Sequence, residues 1–298
     1  MSGLGELLSP HLNIMQSSNL IWIARAFPDL SNINLLGQGG QKLVFSALHP
    51  SDGDVVLKII HPSQNLEGVR REILAVQRIG SARVPQILDV GQINTQMGPS
   101  VWIREQRIIG VSLRERLQQG ALTIDELLRL GVQTLEALAE AERASIVHRD
   151  VKPENIMVDV SSNYWLLDFG ISRHLAMSPL TPMTSPFGKF TLGYAPPEQL
   201  RNVQNEIDAR ADLFAFGITF YECATGRHPF RDGAANEFEI IRRVENGVLP
   251  TLQLPCKDAN SLADLVSAIT QKRRDHRPAT VADALTWMRE ILNAQSSP

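Results

Sequence analysis

The chain is poor in several things that would point to particular functions. It holds 2 cysteines in 298 residues. Cys223 and Cys256 lie far apart with no CxxC pair, so neither a disulfide framework nor a zinc knuckle is indicated. Both read as small core thiols in a reducing compartment. No apolar run is long enough to span a bilayer. Leu20 to Phe27 is short and interrupted by Arg25, and reads as an amphipathic helix resting on the domain. Met1 to Pro10 lacks the basic start of a signal peptide, so a cytoplasmic protein without a membrane span is expected. Positive charge is not in excess: the formal net charge is -3, which argues against a nucleic-acid binder. The basic run Lys272-Arg273-Arg274 reads as a solvated helix end. His11, His49, His61, His174, His228 and His276 show no metal-ligand spacing. There is no internal repeat and no long low-complexity stretch.

What remains is globular: 43% of residues are hydrophobic and 20% charged, a balance that supports a large folded core. From about Leu30 to Ile109 the pattern is strand-like. Val55 to Ile60 is a short apolar run, joined to the strand before it by a turn at Ser51-Asp52-Gly53. Val101 to Ile103 reads as another strand. Leu66 to Ile79 is the exception, with Leu66, Val69, Ile73 and Val76 at helical spacing. After Gly110 the character changes. Thr123 to Ala144 is an amphipathic helix beginning at Thr123 or Asp125, with Leu127, Leu128, Val132, Leu135 and Leu138 as its stripe. Asp212 to Thr225, Ser261 to Ile269 and Val281 to Leu292 read as further helices. The expected fold is α+β: a small β-rich lobe with one helix, then a larger, mainly helical lobe. A ligand is expected where two such lobes meet.

Four short signals carry chemistry. The first is Gly37-Gln38-Gly39-Gly40, between two strand-like segments. Glycine lets backbone N–H groups approach phosphate oxygens, although an ordinary hairpin turn has the same composition. The second is Lys58 in Val55-Val56-Leu57-Lys58. A lysine in an apolar strand is costly to desolvate unless it meets an anion or sits on an edge with its head in water. Glu72 on the following helix is the preferred partner, ahead of Glu67. The third is His148-Arg149-Asp150-Val151-Lys152-Pro153-Glu154-Asn155. Phosphoryl transfer to a hydroxyl needs a carboxylate at the nucleophile, a cation at the transferring group and oxygen ligands for a metal. Asp150, Lys152 and Asn155 supply these in one short run. The fourth is Asp168-Phe169-Gly170, placed by Trp165-Leu166-Leu167 at the end of a strand, where a carboxylate can ligate a hard cation.

In this order the four resemble the signature of the protein kinase superfamily: glycine-rich loop, strand lysine, HRD loop with its asparagine, and DFG. Tyr194-Ala195-Pro196-Pro197-Glu198 resembles the end of that family's activation segment. Asp212 to Gly217 resembles the helix beneath its catalytic loop, and Arg277-Pro278 the late arginine that pairs with the APE-like glutamate. The likeness covers roughly Leu30 to Leu292. Lys152 places it with the serine/threonine branch, and Pro-Pro-Glu-Gln resembles the bacterial eukaryote-like kinases. The resemblance implies a two-lobed protein-kinase fold, with an extension at residues 1–28 and a kinase domain at 29–295. The N-lobe is then about 29–105 and the C-lobe about 110–295. It implies an ATP- and Mg2+-dependent serine/threonine protein kinase acting on protein hydroxyls. Gly37, Gly39 and Val44 would cover ATP. Lys58, held by Glu72, would grip the α- and β-phosphates. Asp150 would orient or deprotonate the hydroxyl, Lys152 would neutralise the γ-phosphate, and Asn155 and Asp168 would bind magnesium. Thr191 would link the substrate segment to Asp150 and Lys152. Arg149 would meet a phosphate on the activation segment, at Thr181, Thr184 or Ser185, placed there by autophosphorylation in a homodimer. An unphosphorylated, intrinsically ordered segment is the alternative.

The chain departs from the pattern in places. Lys42 stands at the third loop glycine, Pro196 replaces the alanine of APE, and Val56 replaces the alanine before the strand lysine, narrowing the adenine pocket. The gatekeeper falls on Arg104 or Glu105. Two other readings compete. A pseudokinase scaffold would need a lost catalytic residue, and Lys58, Asp150, Asn155 and Asp168 are all present. A small-molecule kinase of the same fold would typically lack Lys152-Pro153-Glu154 and the APE-like segment.

Overall fold

A computed structural model describes residues 20–39, 42–61, 66–96, 98–169, 191–201, 207–256 and 259–295, with the backbone alone at Glu72. The candidate phosphorylation sites Thr181, Thr184 and Ser185, together with Gly40 and Gly170, lie outside the described residues. Packing divides the chain into two compact units. One comprises residues 1–62 and 86–107, the other residues 63–85 and 108–298.

The first unit is a five-stranded antiparallel sheet: β1 Ser31–Gly39, β2 Lys42–His49, β3 Gly53–Ile60, β4 Ile87–Thr95 and β5 Gly98–Gln106, in the order β1-β2-β3-β5-β4. Gly53 takes the left-handed conformation at the β2–β3 turn (φ 71°), as the Ser51-Asp52-Gly53 pattern requires. Because strand side chains alternate between faces, Phe45, Ala47, Val55, Leu57 and Ile59 form one apolar cluster. A helix at residues 20–26 (α1) covers it. Ile23 is fully buried, Phe27 and Leu30 join the same cluster, and the Phe27 ring stands edge-on to Trp102 at 5.4 Å. The short apolar run before the first strand is therefore part of this unit's core.

The second unit is mainly helical. Its elements are α2 Leu66–Val76, β6 Gly110–Ser112, α3 Leu113–Leu117, α4 Ile124–Arg143, β7 Ile156–Asp159, β8 Tyr164–Leu166, α5 Pro197–Leu200, α6 Ala209–Thr225, α7 Glu237–Asn246, α8 Ala259–Ile269 and α9 Val281–Gln295. The stretch containing α2, expected with the strands, groups here instead. Val76, Ile79 and Val84 pack into the helical core, and the Leu166 amide donates to the Arg83 carbonyl at 2.8 Å. Thr123 begins α4 through a capping box, accepting from the Glu126 amide while the Glu126 carboxylate takes the Thr123 N–H. Helix α6 is buried along most of its length, as expected of a helix apolar on all sides. It carries the fully desolvated Asp212 to the catalytic loop. Strands β6, β7 and β8 form a small antiparallel sheet. Among the described residues, no helix is long and apolar enough to cross a membrane.

Candidate active site

The candidate residues fall into two sets, one in each unit. In the sheet, Gly37 pairs with Val44, Val44 with Lys58, and Lys58 with Ile103. Directly paired residues point to the same face, so this row lies opposite the Phe45–Leu57 cluster. A Cβ built on Gly37 would meet nothing within 4 Å, so the first strand leaves open space there. Lys58 is 4% exposed, and its ammonium pairs with the carboxylate of Glu105, itself 9% exposed. Register settles the choice between Arg104 and Glu105. Glu105 lies opposite Val56 and shares the Lys58 face, whereas Arg104 lies opposite Leu57 and reaches Asp29, Asp52 and Asp89. Glu105 was not foreseen as a partner of Lys58, because only strand register brings two such distant residues onto one face. The side chain of Glu72, the expected partner, lies outside the described residues.

In the helical unit, His148 to Asn155 form a tightly bonded loop. Asp212 accepts the amides of His148 and Arg149, each at 2.7 Å. Complete burial pushes the Asp212 carboxyl upward, against the pull of those two amides. The Asp150 amide donates to His148 Nδ1 at 3.2 Å, so the His148 proton sits on Nε2 and is donated to the Leu167 carbonyl at 2.6 Å. Phe169 is buried edge-on against the His148 ring at 4.5 Å. Arg149 and Asp168, neither of them glycine, hold φ of 70° and 63°. Such conformations cost about 1–3 kcal/mol each and persist only where surrounding bonds enforce them. At Arg149 those bonds are Asp212 on the amide and Gln199 Nε2 on the carbonyl, at 2.8 Å.

Around Asp150 the polar groups close a ring. Lys152 Nζ donates to Asp150 Oδ2 and to Thr191 Oγ1, both at 2.6 Å, and Thr191 Oγ1 donates to Asp150 Oδ1 at 2.8 Å. Asn155 Nδ2 donates to the Asp150 carbonyl at 2.8 Å and to its Oδ2 at 3.0 Å. That commits the amide nitrogen of Asn155 and turns its Oδ1 away, with no hydrogen-bond donor on it among the described residues. The β7–β8 hairpin explains why Asp168 is near. Ile156 pairs with Leu166, and the Leu167 amide donates to the Asn155 carbonyl at 2.8 Å, so Asp168 follows the residue bonded to Asn155. Two oxygen donors, one carboxylate and one amide carbonyl, suit a hard cation.

Two further contacts tie down the segment that carries Thr191. Arg114 on α3 donates to Glu154 of the catalytic loop at 2.9 Å, to Glu222 of α6 at 2.7 Å and to the Tyr194 hydroxyl at 2.6 Å. No local sequence pattern marks Arg114, whose partners come from three distant stretches. Beyond Tyr194, Arg277 forms the buried pair with Glu198 that the sequence pattern implied, at 2.6 and 3.0 Å.

The chain is similar to known proteins over most of its length. The family model described as protein kinase domain matches residues 30–293. A probable serine/threonine-protein kinase, pknA2, of Bifidobacterium longum is 30% identical over 86% of this chain and 34% of its own length. The probable serine/threonine-protein kinase PkwA of Thermomonospora curvata is 34% identical over 83% of this chain and 32% of its own length. The serine/threonine-protein kinase PknD of Mycobacterium tuberculosis is 35% identical over 84% and 38%, respectively. The chain thus spans about a third of the length of these relatives. Matched by the kinase model over nearly its whole length, the chain belongs to the protein kinase family.

Proposed function

We propose that this protein transfers the γ-phosphoryl group of ATP to serine or threonine hydroxyls of proteins, with Mg2+ as the metal. The observation that carries the reading is the environment of Asp150. A carboxylate offers about four lone-pair sites. Lys152 and Asn155 occupy two on Oδ2 and Thr191 one on Oδ1, leaving one on Oδ1 for an incoming hydroxyl. The three donors fix the carboxylate's direction, and Asp150 orients the acceptor hydroxyl and takes its proton as the bond to phosphorus forms. Lys152, already beside that carboxylate, offsets charge on the transferring group.

Members of this family use ATP and a divalent metal, and the residues present fit both. Asn155 Oδ1 and the Asp168 carboxylate would hold the metal, which when bound supplies charge neutralisation at the phosphates. Lys58 would hold the α- and β-phosphates, Glu72 would brace Lys58, and Gly37, Gly39 and Val44 would cover the nucleotide. Arg149 would meet a phosphate on the activation segment, placed there by a second copy of the chain. A cytoplasmic site of action accords with the low cysteine content, 2 in 298 residues.

The test is transfer of labelled phosphate from MgATP to a generic protein such as casein, set beside sugar and amine acceptors. Label is expected on protein serine and threonine. Asp150→Asn, which removes the positioned base, is expected to lower the rate by about 10²–10⁴, and Asp168→Ala, which removes a metal ligand and its charge stabilisation, by at least about 10²–10³. Wild-type protein that labels only small acceptors, or none, would overturn the reading.

A further inference from the structure

We propose that Glu105 sets nucleotide affinity, as a protein carboxylate that competes with the ATP phosphates for Lys58; this rests on the kinase reading above. The argument starts from a buried acid in a strand. Glu105 is 9% exposed and Lys58 4%, and their ion pair lies on the face of the sheet that the open Gly37 position shares. A carboxylate so buried is costly to desolvate unless a cation meets it, and Lys58 is that cation. Lys58 is also the residue proposed to receive the nucleotide's anionic groups. An ammonium has three N–H donors, so it can keep Glu105 and still bond a phosphate oxygen. What it cannot do is neutralise both anions fully. With Glu105 in contact with Lys58, arriving phosphates meet a cation whose charge is already partly cancelled and a like charge beside it. The acid therefore holds Lys58 in place in the free protein and weakens the nucleotide complex.

Charge and shape can be separated. Glu105→Gln keeps the side-chain volume and an acceptor for Lys58 but removes the negative charge. Binding of ATP, ADP and adenosine is measured by titration calorimetry with magnesium present. Glu105→Gln is expected to bind ATP and ADP about tenfold more tightly than wild type, a change worth about 1.4 kcal/mol. Adenosine, which has no phosphate, should bind equally to both. In the transfer assay KM for ATP should fall in step with the dissociation constant. Adding Lys58→Met should abolish the tightening, since the cycle then has no shared cation. Glu105→Met fills similar space without charge and is expected to tighten ATP binding in the same direction, which keeps the question open to test should the glutamine variant fold poorly. Variants that bind ATP no more tightly than wild type, while wild type binds and transfers, overturn this inference alone. Wild-type protein that binds neither ATP nor ADP overturns the kinase reading and this inference with it.

Discussion

Replacing Arg277 with methionine should destabilise the helical unit by about 3–5 kcal/mol, the cost of leaving a buried charge without its partner. The structure supports the upper part of that range. Arg277 is fully buried and Glu198 5% exposed at the side chain. All five N–H groups of the guanidinium are used: Nε on the Gln271 carbonyl, Nη1 on Glu198 and the Arg210 carbonyl, and Nη2 on Glu198 and the Lys272 carbonyl. The cation also lies over the Phe214 ring at 5.0 Å. Arg277→Met leaves three carbonyls and one carboxylate without this donor. Against a total stability of about 5–15 kcal/mol for a folded domain, most of the margin is lost. Urea unfolding followed by circular dichroism measures the change. Glu198→Gln in the Arg277→Met background removes the orphaned charge and should return about 1–3 kcal/mol, a coupling of the size found between contacting residues. The consequence reaches the active site, because Gln199, next to Glu198, holds the Arg149 carbonyl. Arg277→Met protein that unfolds within about 1 kcal/mol of wild type, or a double variant no more stable than the single one, would refute the reasoning.

Two other outcomes follow from the packing. Ile23→Ala should cost about 2–5 kcal/mol, because Ile23 is fully buried among strand residues and leaves a cavity on truncation; an unchanged melting temperature would show α1 to be dispensable. His228 is held neutral, its pKa lowered to about 3 by burial and then by the nearby Arg231. Above about 6.5 both folded and unfolded chains carry it neutral. As pH falls below that value the unfolded chain takes up the proton first, so stability falls through the window down to about 3. The slope from this one group is at most about 1.4 kcal/mol per pH unit. His228→Asn, which can still accept the Phe230 and Arg231 amides, should unfold with a shallower acid dependence than wild type, measured by denaturant midpoints from pH 7 to 4; identical slopes would place the acid sensitivity elsewhere.

Much of the site can be read along the chain because its chemistry is local. Asp150, Lys152 and Asn155 lie within one loop, and their mutual bonds span two to five residues. The capping box at Thr123, the turn at Gly53 and the amphipathic stripe of α4 are likewise short-range, set by backbone preferences and helical spacing. Strands β4, β6 and β7 and the short helices α3 and α5 were not foreseen, since their apolar residues alternate weakly or run for only three to five positions; helix α7 was not foreseen either, although Phe238, Ile241 and Val244 stand at helical spacing.

Other features exist only once the chain has folded. Whether Arg104 or Glu105 faces Lys58 depends on strand register, where a shift of one residue exchanges the two faces. The grouping of α2 with the helical unit, and of α1 with the sheet, follows from which apolar faces find each other. Arg114 gathers Glu154, Tyr194 and Glu222 from three separate stretches. The sequence alone determined the family, the catalytic loop and most helices, because those rest on contacts between near neighbours. Tertiary structure alone decided which distant charges share a buried space, because desolvation makes an unpaired charge costly only after the surrounding side chains have closed around it.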